Sequence, residues 1–219
     1  VVGVDRGLKV ACVAATASGV ELVSLPAGRR FRGTQKRLTR TQRQMARRHQ
    51  RGVLSDEQTS GYKKARARAG RLHEKARLQR SNDLHCYTKQ LVAVSPIVVL
   101  EDLHVKGMVK NRHLSKAFAD QAFGELARQV GYKMGRVGGQ TIVADRWFPS
   151  SKRCSGCGWV KPKLSLSERT YTCSACGLVI DRDVNAAMNL AVWGETALAH
   201  PGLAPAEITN LVLSPTSWT

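Results

Sequence analysis

Two Cys-x-x-Cys pairs, Cys154/Cys157 and Cys173/Cys176, stand near the C-terminal end of this chain with fifteen residues between them. No other feature constrains the fold as tightly. Each pair can turn two thiolates toward one point, and two such knuckles close a tetrahedral site of four sulfurs, the zinc-ribbon pattern. Four sulfurs fill the coordination sphere and leave no position for water or substrate. The spacing therefore predicts one structural Zn²⁺ rather than a reactive metal. The competing use of cysteine is a disulfide framework. No signal-peptide pattern is visible, and six cysteines in a basic chain of 219 residues do not resemble a small oxidised scaffold. Cys12 and Cys86 lie in apolar or helical surroundings and read as ordinary buried thiols. A reducing cytoplasm is the expected compartment. No run of 18 apolar residues is present, so no membrane span is expected.

Charge is the second constraint. The formal net charge is +19, and it is concentrated: between Arg29 and Arg80 stand 18 Lys and Arg against three acids (Asp56, Glu57, Glu74), a net of +15. A basic stretch of this density points to a polyanion, with nucleic acid as the default. A solvated helix face or a disordered basic arm is the plain alternative. Disorder is disfavoured because an apolar period runs beneath the charge. Leu38, Thr41 and Met45 begin it, Ala65, Ala69, Leu72 and Ala76 continue it, and Leu84, Tyr87 and Leu91 resume it. Two long helices, separated by a loop at Gly52–Gly61, are expected to pack as an antiparallel pair with arginines outside. Arg37, Arg40, Arg43, Arg47, Lys64, Arg68 and Arg71 are the candidate nucleic-acid contacts.

Around this segment the pattern alternates strand and helix. Val1–Asp5, Val10–Thr16 and Val20–Leu25 read as three short strands punctuated by Gly7 and Gly19, and Pro26 and Gly28 end them. Pro96–Glu101 is a continuous apolar run closed by an acid, as in a buried central strand. A helix is expected from Ser115, as N-cap, to about Arg136, with Phe118, Ala122, Leu126 and Val130 on one face. Gly138-Gly139 stops it, and Gln140–Ala144 forms a further strand. The cysteine hairpin spans residues 150–180 and a short helix Val184–Trp193. From Gly194 onward, Pro201, Pro205 and Pro215 predict a weakly ordered tail. Together these make an α/β layer arrangement, long enough to bury roughly 70–75% of its unfolded surface.

Three acids stand at element ends or on central strands: Asp5 in the first strand, Glu101 closing the fourth, and Asp183 at the start of the final helix. An acid inside Val1–Asp5 is costly unless paired or bound to metal, and the same holds for the acid ending Ile97–Glu101. If strands one and four lie side by side, Asp5 and Glu101 meet. Converging carboxylates repel, and a hard divalent cation relieves that repulsion. Two such ions about 3.5–4 Å apart would activate water and stabilise the leaving oxygen of a phosphodiester. Each acid also has a plain use, as a helix cap, a turn opener or a solvated strand end; Asp102 and Asp181 are the neighbouring decoys. The six histidines are scattered without pairing to a nucleophilic Ser or Cys, and no phosphate-cradling glycine loop occurs.

These residues resemble the C-terminal half of the TnpB family, also called OrfB-type transposases, related to the compact type V CRISPR effectors. The stretches that carry the resemblance are GVDRG (Gly3–Gly7), VVLEDLHVKGMVKNRHLSK (Val98–Lys116), FPSSKRCSGCG (Phe148–Gly158), LSLSERTYTCSACG (Leu164–Gly177) and DRDVNAAMNL (Asp181–Leu190). The resemblance implies a RuvC-like domain of the RNase H fold, with strands one to three in residues 1–28 and a basic helical insertion at 29–93. A central strand, helix and strand follow at 94–149, then a zinc ribbon at 150–180, a final helix at 181–193 and a tail at 194–219. It implies Asp5, Glu101 and Asp183 as ligands of catalytic Mg²⁺ or Mn²⁺, and DNA cleavage guided by RNA in the full protein. Family members carry about as much chain again before the first strand. The chain is therefore expected to be either an excised domain or a reduced relative, and guide and target recognition are not carried over to its residues. The leading expectation is a metal-dependent DNA endonuclease domain. A zinc-stabilised nucleic-acid binder without cleavage, and a transposase that joins strands with the same acids, are the alternatives.

Overall fold

A computed structural model describes residues 1–7, 10–26, 32–103, 123–165 and 167–214. The chain divides into two compact units: one comprises Val1–Ala27 with Cys86–Thr219, the other Gly28–His85, and the boundary falls inside one long helix.

The larger unit is built on a five-stranded mixed sheet of order β3-β2-β1-β4-β5. Its strands are β1 (Val2–Asp5), β2 (Val10–Ala15), β3 (Glu21–Pro26), β4 (Ile97–Glu101) and β5 (Gln140–Ala144). β1, β2 and β3 form an antiparallel meander; β1, β4 and β5 run parallel. The expected adjacency of the first and fourth strands therefore holds. β1 is central and buried on both faces, which is why its sequence is an unbroken apolar run rather than an alternation. At the β2–β3 turn, Gly19 takes φ 87°, a left-handed conformation open to glycine at no steric cost.

The helix before β5 is described as α3 (Phe123–Arg136) once the basic pair α1 (Arg32–Arg48) and α2 (Ser60–Val94) is counted. Ser115, Phe118 and Ala122, expected to begin it, lie outside the described residues. Leu126, Val130 and Met134 are fully buried, and Gln129 of α3 accepts a buried hydrogen bond from Thr88 at 3.0 Å. Gly138 ends the helix with φ 71°. The cysteine hairpin follows β5 and contains β6 (Thr170–Thr172) and β7 (Val179–Asp181), paired antiparallel.

The C-terminal region departs from expectation. The last helix is not a short Val184–Trp193 segment but α4 (Arg182–Ala199), 18 residues capped by Asp181. Nor do residues 195–214 form a weakly ordered tail: α5 (Pro205–Leu213) packs into the core through Ile208 and Val212, beside Trp193 and Phe148. Pro205 starts this helix instead of breaking it. At the first helical position its missing N–H forfeits no bond, and Glu207 accepts from the Ala204 N–H at 2.6 Å. Trp193 Nε1 donates to Thr209 Oγ1 at 3.0 Å and ties the two helices together. Gly194 is a close-packing position, since a Cβ there would stand 2.3 Å from Val99 Cγ2.

The smaller unit is an antiparallel helical hairpin. Thr34 Oγ1 donates to Gln79 Oε1 at 3.0 Å, and Arg48 Nη1 donates to the Gly61 carbonyl at 3.2 Å, so the start of α1 lies beside the later part of α2. Ala65, Ala69, Leu72 and Ala76 form the buried stripe on α2, and Thr34 and Thr41 on α1 are buried. In the connecting loop, buried Gln58 accepts from the Gln50 N–H at 2.9 Å and donates to the carbonyls of Gln50 and Val53. Among the described residues no helix is long and apolar enough to cross a membrane.

Candidate active site and tetracysteine knuckles

β1 and β4 are paired in parallel with Val4 opposite Leu100, and the next step of that register sets Asp5 beside Glu101. Side chains alternate across a sheet, so Asp5 shares the face of Gly3, and Glu101 the face of Val99. α4 lies on that face. A Cβ on Gly3 would stand 2.1 Å from the Ala187 carbonyl oxygen and 2.5 Å from the Ala191 nitrogen, so the absence of a side chain lets the helix backbone rest directly on β1. The helix runs antiparallel to β1, which brings its first turn, and Asp183, to the strand ends that carry Asp5 and Glu101. Asp5 and Asp183 are each only 7% exposed.

Electrostatics follow from this convergence. Burial holds the Asp5 carboxyl well above the usual carboxylate range, repulsion from Glu101 and Asp183 adds to it, and Arg182 and Arg6 offset it in part. Burial also raises Glu101, against a hydrogen bond from Ser150 and the Arg6 guanidinium. Ser150 Oγ donates to Glu101 Oε1 at 2.5 Å, Arg6 Nη2 donates to the Glu101 carbonyl, and Arg182 lies 3.2 Å from Asp183. The two decoys have other partners: Asp102 pairs with Arg146 at 2.6 Å, and Asp181 accepts from the N–H groups of Asp183 and Val184 at 2.8 and 3.1 Å as the helix cap. A desolvated carboxylate at Asp5, repelled by its two acidic neighbours, fits a divalent cation, whose charge would relieve that repulsion.

The cysteines converge more tightly. Their four sulfurs lie within 4.8 Å of one another, and among the described residues no other set of three or more His, Cys, Asp or Glu ligand atoms, the three acids included, is drawn together that closely. The Cys154–Cys176 and Cys157–Cys173 sulfurs are each 3.6 Å apart. That is far beyond a disulfide and close to the edge of about 3.8 Å in a tetrahedron with metal–sulfur bonds of about 2.3 Å. The two knuckles repeat one design. Gly158 N–H donates to the Cys154 carbonyl at 2.9 Å and Gly177 N–H to the Cys173 carbonyl at 3.1 Å, with φ of 74° and 75° at the two glycines. Burial pushes the Cys157 thiol up to about 12. At Cys173 burial is outweighed by the N–H groups of Cys176 and Ala175 and by neighbouring thiols, and the value falls to about 7. The set can therefore hold a metal ion, and its geometry is consistent with zinc. Tyr171, Trp159, Leu178 and Ile180 pack around it.

Three residues that the sequence did not single out as functional join the hairpin to α4. Asn185 Nδ2 donates to the Arg153 carbonyl at 2.7 Å and its Oδ1 accepts from the Ser155 N–H at 2.9 Å. Asn189 Nδ2 donates to the carbonyls of Ser150 and Arg153 at 2.9 and 2.7 Å, and its Oδ1 accepts from Arg153 Nη1. The Arg153 guanidinium is fully buried, and burial lowers it to about 10. The i, i+4 spacing of the two asparagines on one helix face was the available signal.

In the helical unit, Arg37, Arg68 and Arg71 line one cleft of about 260 Å³ with Leu72 and Lys75. No acid is among its lining residues. Arg40, Arg43, Arg47 and Lys64 are exposed on the hairpin but do not line that cleft.

Comparison with known proteins agrees with the motifs. Residues 1–112 match the OrfB family of IS605-type elements, described as "Probable transposase", and residues 123–190 match the "Cas12f1-like, TNB domain". A Streptomyces pristinaespiralis protein named "Putative RNA-guided DNA endonuclease" is 37% identical over 198 residues, covering 90% of this chain and 46% of that protein. Escherichia coli "Putative RNA-guided DNA endonuclease InsQ" is 28% identical over 213 residues, covering 90% and 50%. The chain thus spans about half the length of the curated relatives it matches. A Cas12f1 structure solved with sgRNA and target DNA superimposes with a TM-score of 0.64 at 16% identity, over 87% of this chain and 49% of that one, a likeness of fold.

Proposed function

The chain belongs to the OrfB/TnpB family, and on that premise we propose that it forms the metal-dependent DNA endonuclease domain of an RNA-guided nuclease. The fold is read as an RNase H-like, RuvC-type sheet carrying an inserted basic hairpin and an inserted zinc ribbon. The observation that carries the reading is that three separate elements bring Asp5, Glu101 and Asp183 to one face of the sheet, with Asp5 and Asp183 buried, Glu101 half-buried, and Asp5 repelled by the other two.

Bound at these carboxylates, two Mg²⁺ or Mn²⁺ ions would activate water and stabilise the leaving oxygen of a phosphodiester. Asp5, central in the sheet, would be shared between the two positions, with Glu101 and Asp183 completing one each. Arg182 and Arg6 keep cationic charge beside the acids and limit their repulsion. One structural Zn²⁺ would occupy the four cysteines, keeping the hairpin folded against the helix that carries Asp183. Arg37, Arg68, Arg71 and Lys75 are suited to phosphate oxygens of the nucleic-acid backbone, contacts that position a duplex without reading its sequence. Guide RNA is the expected partner in the full-length protein.

The test is cleavage of labelled single- and double-stranded DNA by the purified chain with Mg²⁺ or Mn²⁺, beside an Asp5→Ala control. Metal-dependent nicking or breakage that the control abolishes supports the reading. Joined strands would favour transposition, and salt-sensitive binding with no cutting would favour a binding module.

A further inference from the structure

We propose that Ser150 and Asn189 are positioning residues that hold the Glu101 side chain in place for metal binding. The proposal rests on the reading of Glu101 as a metal ligand.

Glu101 closes β4, where the strand's hydrogen-bond ladder ends, and its carboxylate hangs on a flexible side chain. A metal ligand must be held within about 0.5 Å of its working geometry. The strand cannot supply that, and Ser150 does. Its hydroxyl donates to Glu101 Oε1 at 2.5 Å, in the short range of an O–H···O⁻ bond, and occupies one carboxylate oxygen on a fixed side.

Ser150 is itself held. It is buried, its N–H donates to the Phe148 carbonyl at 2.8 Å, and Phe148 is packed in the core cluster with Leu190 and Trp193 of α4. Its own carbonyl accepts from Asn189 Nδ2 at 2.9 Å. Asn189 is fully buried on α4 and spends both ends of its amide on the segment between Ser150 and Arg153, where the chain leaves the sheet for the cysteine hairpin. The consequence is geometric. α4 carries Asp183 directly and fixes Glu101 through Asn189 and Ser150, so two of the three acids are referenced to one rigid helix. The third, Asp5, is referenced to the same helix by the contact at Gly3.

The experiment compares the parent chain with Ser150→Ala, Ser150→Thr, Asn189→Ala and Asp5→Ala. Two readouts are taken against MnCl₂ concentration: the rise in thermal midpoint and the rate of cleavage of a labelled oligonucleotide. Zinc content and the urea midpoint are measured on each variant. With zinc content kept, Ser150→Ala is expected to need about 10–100-fold more Mn²⁺ in both readouts, the usual cost of losing a residue that orients a metal ligand. Ser150→Thr, which keeps the hydroxyl, is expected to recover most of that loss, and Asn189→Ala to shift the Mn²⁺ dependence in the same direction as Ser150→Ala. A Ser150→Ala protein with the parent's Mn²⁺ dependence in both readouts, while Asp5→Ala loses both responses, would overturn the inference alone. An Asp5→Ala protein that keeps both responses would overturn the underlying reading of the acids, and the inference with it.

Discussion

Replacing Gly3 by alanine adds one methyl group at the contact on which the acid cluster depends. The new Cβ would stand 2.1 Å from the Ala187 carbonyl oxygen, 2.5 Å from the Ala191 nitrogen and 2.7 Å from Leu190 Cβ, whereas ordinary contact begins at 3.4 Å. The shortfall is about 1.3 Å against helix backbone, which cannot rotate aside as a side chain would. β1 is buried on both faces and has no free direction in which to yield. α4 must therefore lift by on the order of 1 Å, at an overpacking cost of about 1–3 kcal/mol. The same lift carries Asp183 away from Asp5, and a misplacement of about 1 Å in reacting geometry lowers rate by on the order of 100-fold. Urea unfolding followed by circular dichroism reads the first effect and oligonucleotide cleavage the second. Gly70→Ala is the matched control: nothing lies within 4 Å of a Cβ there, and helix propensity alone predicts a gain of up to about 1 kcal/mol. A Gly3→Ala protein with the parent's urea midpoint would refute the packing argument whatever the cleavage assay reports.

Asp5→Asn should raise the thermal midpoint of the protein at neutral pH without added Mg²⁺ or Mn²⁺. The folded-state pKa of Asp5 is raised by burial and by its acidic neighbours, so ionising it opposes folding. That penalty grows as pH climbs from the unfolded value of about 3.9 through the raised folded value, so the advantage of the variant should vanish near pH 4. Midpoints measured from pH 4 to pH 8 in buffer without added Mg²⁺ or Mn²⁺ check this, and a variant no more stable than the parent at pH 7 would sink it. Ile208→Ala, which empties a buried position of α5 beside Trp193, should cost about 2–5 kcal/mol in urea unfolding. A loss under 0.5 kcal/mol would mean that α5 does not pack on the core.

What could be read along the chain was whatever depends on near neighbours or on periodicity. The cysteine knuckles need only two residues between ligands and a glycine after each pair, so their geometry is local and the spacing carried it. The buried stripe of Ala65, Ala69, Leu72 and Ala76 is a helical period, and the apolar runs before Asp5 and Glu101 marked buried strands. Other features reversed or escaped a linear reading. Pro205 looked like an interruption, because a proline at a first helical turn and one inside a loop are the same residue until the helix has something to pack on. Asp183 is preferred to Asp181 in the sequence because the helix is expected to begin there, yet the cap is Asp181, and a cap and a converging carboxylate differ only in what stands opposite them.

By itself, then, the sequence determined that this chain holds a four-sulfur site, a dense basic helical pair and acids ending buried strands. Tertiary structure alone decided that β1 and β4 lie side by side and what holds the acids there. Ser150 reaches Glu101 across 49 residues and Asn189 reaches Ser150 across 39, through bonds to a carboxylate and a carbonyl whose positions are set by the fold. Hydrogen bonds of that kind leave no period and no spacing, so serine and asparagine look alike whether they face water or hold a site together.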